Sequence, residues 1–290
     1  CPAARLIGVR APAAGRVLLI GSLGGFAPAA SAAAGAVRSG QLTAREADAL
    51  LPACVCSGPS FVILAVGQSM LGSAELGVLL FLAQVAAGYL SAALLARLGG
   101  TLGSRTHPAV PTASQPLRLD GIIAQASQTY LKLCGFVLFF RMLAAGAGEV
   151  LPSGAGVFCA MLLEVCSGCD LAAKSGRFAS MLCCAALSVQ GLSVLMQVRT
   201  ICPPEMTLRP LYRARLLHLP LSLLAFYLLL PQRAQETFST LCGRVTMMRR
   251  LPSDCALLVF LGCCFAVCEL SRVLAKEPNQ TQGDKVANQS

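Results

Sequence analysis

Long uncharged apolar windows alternate with short Arg-bearing polar segments along this 290-residue chain. Residues 17–37, 76–96 and 178–198 each hold 21 positions without a charge, and 216–232 holds 17 with a single His. A helix needs about 20 mainly apolar residues to cross the hydrocarbon layer of a membrane. Helices of a soluble core would show a polar stripe instead. The pattern predicts an all-α, polytopic integral membrane protein.

Several windows are interrupted. Gly21, Gly24, Gly25 and Pro28 punctuate 17–40, which reads as a half-helix, a break at 24–28 and a second half to Arg38. Thr43-Ala-Arg-Glu46 is a capping box. It starts a short helix through Leu51, and Arg45, Glu46 and Asp48 place that helix at the interface or in a loop. Ser57-Gly58-Pro59 breaks the chain again, with Pro59 suited to the first turn of a helix reaching Met70. The clearest full span is 75–97. In the second half, 120–148 begins amphipathic and becomes apolar, and 154–165 is half-length. Residues 166–176 form a break with Asp170 and Lys174. A span at 178–198 is interrupted at Gln190-Gly191, and another at 207–230 begins with Arg209, Arg213 and Arg215.

The tetrapeptide Val-Cys-Ser-Gly occurs at 55–58 and again at 165–168, each time interrupting an apolar stretch. Backbone groups freed by a break in lipid must find partners, so breaks persist where they face protein or a wet cavity. Paired breaks in corresponding halves point to a binding site near the midplane. We expect 57–59 and 166–169 both to be non-helical and to approach one another. The organisation is then a first membrane repeat at 12–98, a basic linker at 99–118 and a second repeat at 119–230. A basic loop at 231–252, a terminal transmembrane helix at 253–274 and a disordered tail at 275–290 follow. If both Arg-bearing loops are cytoplasmic, an even number of crossings separates them. Residues 120–148 and 207–230 supply two, so 154–198 crosses twice or enters and returns as a re-entrant hairpin. Arg199, Arg209, Arg213 and Arg215 form a third basic cluster that blurs this count.

Composition narrows the function. Charged residues are 12% of the chain, against about 25% in soluble domains. The net charge of +10 sits in loop arginines beside apolar spans, with no basic helix face or aromatic platform. It signals cytoplasmic loops rather than nucleic acid. Of 15 cysteines, Cys134, Cys159, Cys183, Cys184, Cys263, Cys264 and Cys268 fall within predicted spans as small packing residues. Their odd count argues against a disulfide scaffold. Cys166 and Cys169 match the redox C-x-x-C pattern without a thioredoxin-like context, which leaves a membrane thiol oxidoreductase as an outside reading. His107 and His218 lie far from paired cysteines, so no metal is expected. No hydrolytic, transferase or nucleotide-loop constellation is present, and neither enzyme activity nor a cofactor is expected. The chain starts at Cys1 with no signal peptide pattern, and is expected to be N-terminally incomplete.

Taken together, Gly24-Gly25-Phe26, the stretch Gly40-Gln-Leu-Thr-Ala-Arg-Glu-Ala-Asp-Ala-Leu-Leu51, Ser57-Gly58-Pro59-Ser-Phe-Val-Ile63, Val66-Gly67 and Met70-Leu-Gly-Ser73 resemble the sporulation integral membrane protein family of the YlbJ type. Glu164-Val-Cys-Ser-Gly168 and Gly191-Leu-Ser-Val194 with Gln197 extend the resemblance over roughly 17–230. The family belongs to the nucleoside-recognition gate-domain superfamily. The resemblance implies a bacterial multi-pass cell-membrane protein of endospore formation, with two gate-like repeats built from broken or re-entrant helices. It implies lipid as a partner, with a small polar solute or coupling cation and a homo-oligomer as further expectations. Two departures stand out. Gly25-Phe26-Ala27-Pro28-Ala29 replaces the family's Gly-Tyr-Pro-x-Gly, and Val55 and Cys56 stand where two Asn usually precede Ser-Gly-Pro. The loss of two amides removes donors and acceptors that a polar ligand would use.

Glu164 is the sharpest candidate, because an intramembrane carboxylate is costly and marks function by default. It would bind a coupling cation, a proton or a ligand hydroxyl. The structural alternative is an ion pair with Lys174 or Arg177, or an edge position among headgroups. Ser57, Ser167 and Ser193 offer hydroxyls beside freed backbone, or serve as small packing residues. Gln190 and Gln197 flank Gly191 as neutral amides that bond across helices or touch a solute. Gly24, Gly25, Gly58, Pro59, Gly168 and Gly191 are expected to act through backbone shape at the breaks.

Overall fold

The computed structural model describes residues 1–98 and 119–230, all within the unit Cys1–Cys242. The linker at 99–118, the basic loop and terminal helix expected from 231 to 274, and the tail at 275–290 lie outside the described residues. Every regular element among the described residues is helical. Three segments are long and apolar enough to cross a membrane: Ala74–Leu98, Ala126–Val150 and Gly176–Ile201. The sequence-predicted span at 207–230 is helical, but its arginines keep it out of that group.

After a short α1 (Pro2–Leu6), α2 (Ala13–Gly24) and α3 (Phe26–Arg38) pack against each other. Arg16 near the start of α2 hydrogen-bonds Gln41 just past the end of α3, so the pair folds back as a hairpin. Its tip is Gly25, at φ 84° and ψ −169°, where a Cβ would be strained. That Cβ would also lie 2.9 Å from the Gly58 nitrogen. Each arm covers about half the ~30 Å hydrocarbon thickness at 1.5 Å per residue.

Next, α4 (Ala44–Cys54) starts with the capping box that the sequence spells out: Thr43 and Glu46 exchange side-chain and backbone bonds. The helix runs past Leu51 through Pro52, so it is no loop, and one face of it is packed into the bundle. Leu50, Leu51 and Cys54 are buried. Asp48 is buried too, accepting from Thr207 N and Thr207 Oγ1 at 2.8 Å and from Leu208 N at 3.2 Å. Residues 55–58 are non-helical, and a π-helix (Ser60–Met70) follows Pro59. The π-helix crosses α5 (Ala74–Leu98) closely, with Gly67 against Gly77.

In the second half, α6 (Leu119–Val150) leads to α7 (Ser153–Leu163) and α8 (Val165–Ala173). These last two also fold back on each other. A Cβ on Gly168 would come within 2.8 Å of the Met161 Cα. The tip is Glu164, in extended conformation at φ −150° and ψ 127°. One expectation is corrected here. Residues 166–169, Gly168 included, are not the break. They form the first turns of α8; the break on their N-terminal side is Glu164, and of the expected 166–176 break only the turn from Lys174 onward interrupts the helix. A 3-10 turn (Gly176–Phe178) leads to α9 (Ala179–Val189), the break at Gln190 and α10 (Gly191–Ile201). The last described helix, α11 (Arg209–Leu229), packs along α5, α9 and α4.

The Asp48–Thr207 and Arg16–Gln41 contacts gather the ends of α3, α10 and the starts of α2, α4 and α11 at one end of the bundle. The C-terminal part of α5 joins them, sharing a cleft with α4 and α11. This end carries Arg38, Arg45, Arg97, Arg199, Arg209 and Arg213. The α2–α3 hairpin opens there, whereas the α7–α8 hairpin opens at the opposite end. Large apolar side chains such as Leu82, Leu90, Phe139, Met142 and Leu224 are exposed on the outside. In water such a surface would drive association; in a bilayer it is the lipid face.

Candidate functional site

Each hairpin tip is seated in the break of a later helix. At the first crossing, Gly25 abuts Gly58 and the Cys56 carbonyl. At the second, Gly191 abuts Leu163 and Glu164, its notional Cβ 2.9 Å from the Leu163 oxygen and 3.0 Å from the Glu164 nitrogen. Backbone meets backbone at both, which is why glycine stands there.

The candidate residues divide between these crossings. Ser57 is buried in the first break, between Cys56 and Gly58 in the chain. Gly24 is the last residue of α2. Glu164, Gln190 and Gly191 come together at the second. Glu164 is buried, and its two carboxylate oxygens accept from Cys166 N at 2.8 Å and Ser167 N at 2.7 Å. It is the N-cap of α8, a favourable place for negative charge at a helix N-terminus. The ion-pair alternative is not realised: Lys174 pairs with Asp170 at 2.8 Å on the surface, and Arg177 stacks over Phe178. Ser167 contributes its backbone N–H. Along α10, Gln197 Nε2 donates to Ser193 Oγ at 2.9 Å.

Gln190 is the exceptional residue. It is fully buried, it takes the left-handed conformation at φ 62°, and neither of its side-chain amide atoms has a hydrogen-bond partner. Gln197 Oε1 is likewise buried and unpartnered. Gln190 caps α10 next to the Glu164 backbone, and Gln197 lies two turns further along the same helix.

A polar belt that the sequence reading did not single out joins the two crossings. Arg215 of α11 donates to the Val55 carbonyl at the first break and, at 3.5 Å, to the Ser188 carbonyl near the end of α9. Its cation thus faces the C-terminal ends of two half-helices, where the helix dipoles are negative. Gln84 of α5 donates to the Cys184 carbonyl at 3.1 Å and to Ser188 Oγ at 3.0 Å. Ser188 shares a hydrogen bond with Ser222, and His218 Nε2 meets the Gln84 carbonyl at 3.0 Å. One signal was present in the sequence: Arg215, His218 and Ser222 recur at helical spacing on one face of an apolar helix.

Cys166 and Cys169 are free thiols one turn apart on α8. Among the described residues, no three His, Cys, Asp or Glu side chains gather as metal ligands would. No family model, curated protein or solved structure matches the chain.

Proposed function

We propose that this is a multi-pass bacterial membrane protein of endospore formation, of the YlbJ type, acting as a transporter- or channel-like protein on a small polar solute. In this reading α2–α3 and α7–α8 are re-entrant hairpins of two gate-like repeats with opposite sense. The solute sits at the second crossing. Gln190 carries the proposal. A buried polar group without a partner costs about 1–3 kcal/mol, and strained backbone persists mainly where function requires it. A solute offering one acceptor and one donor would complete the Gln190 amide.

A coupling cation fits less well. The Glu164 carboxylate is engaged by two N–H groups, and Arg215 supplies positive charge at the half-helix ends. The second reading is a non-transporting structural or assembly factor of the developing spore. The first crossing favours it, since Gly25 packs backbone on backbone there and Val55 and Cys56 offer no side-chain amide. The exposed apolar face of α6 suits lipid or a second copy of the chain.

Gln190→Met keeps the side-chain size, removes both unpartnered atoms and leaves the left-handed strain unchanged. In a spore-forming host that depends on this chain, the variant should remain in the membrane at normal or higher level. It should also be about 1–2 kcal/mol more stable, yet fail to support heat-resistant spores. Normal spores from the variant would remove the solute site and favour the structural role.

A further inference from the structure

The Arg-rich end of the bundle holds a cleft of about 630 Å³ between α4, α5 and the start of α11. Its polar rim includes Arg45, Arg209 and Arg213, and its wall is apolar, from Ala49, Pro52, Ala92, Leu95 and Ala96. Arg209 and Arg213 are one turn apart on α11 and so project from one face. All three arginines are exposed. None of their guanidinium groups forms a salt bridge or hydrogen bond among the described residues, where the one ion pair is Lys174–Asp170. Two acids share the cleft, Asp48 and Glu205. Asp48 is turned onto Thr207 and Leu208 by three hydrogen bonds, which leaves Glu205 as the exposed acid. Three unsatisfied guanidinium forks above an apolar wall match a phosphate attached to acyl chains. Free phosphate would have no use for that wall. Helix ends rich in arginine also mark the cytoplasmic face, where anionic lipids concentrate.

We infer that this cleft binds the phosphate headgroup of an anionic phospholipid from the cytoplasmic leaflet, with Arg45, Arg209 and Arg213 as its ligands. The inference does not depend on the solute site. The full chain is purified in a neutral detergent and loaded with phosphatidylglycerol or phosphatidylcholine, and retained lipid is measured by native mass spectrometry. We expect selective retention of phosphatidylglycerol. Each Arg→Gln substitution at these positions should weaken it about fivefold, and the triple Arg→Lys variant should keep most of it. Since all three side chains are exposed, single variants should fold, and unchanged melting confirms that loss is local. Equal retention of the two lipids would overturn the inference. So would full retention by the triple Arg→Gln variant, or displacement by inorganic phosphate as readily as by phosphatidylglycerol.

Discussion

Glu164 shows how a single side chain changes its meaning once its partners are known. An acidic residue in an apolar stretch invites a transport role, yet both of its oxygens are held by the first amides of α8. Glu164→Ala should therefore cost about 1–2 kcal/mol through loss of the cap, read as a lower melting midpoint in detergent. Glu164→Gln keeps one acceptor and should lose less. Adding Lys174→Met should rescue neither, because Lys174 is engaged with Asp170. Rescue by that second change would revive an ion pair. Gln190 stands opposite in kind: its amide has no partner and its backbone is strained. The sequence ranks Glu164 above Gln190 by its charge, and the structure reverses that order, because what differs is which backbone groups reach each side chain.

Among the elements, local backbone chemistry was readable and long-range satisfaction was not. The capping box, the turn at Gly25, the helix after Pro59 and the interruption at Gln190-Gly191 all follow from residues next to each other in the chain. The two Val-Cys-Ser-Gly copies diverge for a physical reason. Pro59 biases Gly58 away from helix, so the first copy stays non-helical. The second is followed by Cys169 and preceded by an acidic N-cap, so it winds into α8. The burial of Asp48 was hidden for another reason: its three donors lie about 160 residues away. The tightness of the second crossing gives a sharp expectation. Gly191→Ala would push a Cβ onto the Leu163 carbonyl and strain a φ of +70°. It should cost about 2–4 kcal/mol, whereas Gly146→Ala, open within helix α6, should be neutral or stabilising by up to about 1 kcal/mol. Equal melting of the two variants would contradict the crossing.

At the scale of the whole molecule, α5 and α11 each pack against both α4 and α9, and Arg215 ties the break at Val55 to the end of α9. Removing it leaves two carbonyls without their charged donor. Arg215→Ala should therefore destabilise the folded chain by about 2–4 kcal/mol, seen as reduced resistance to denaturing detergent. A variant as resistant as the parent would show that the halves hold together without it. The sidedness of the hairpins is the central claim. The α2–α3 hairpin opens at the Arg-rich end and α7–α8 at the other, so Gln41 and Lys174 belong on opposite faces of a membrane. In a cysteine-free background, Gln41→Cys and Lys174→Cys can each be probed in intact cells with a membrane-impermeant maleimide. Labelling is expected at 174 from outside and at 41 only after the cells are opened. Labelling of both positions from the same face would contradict it.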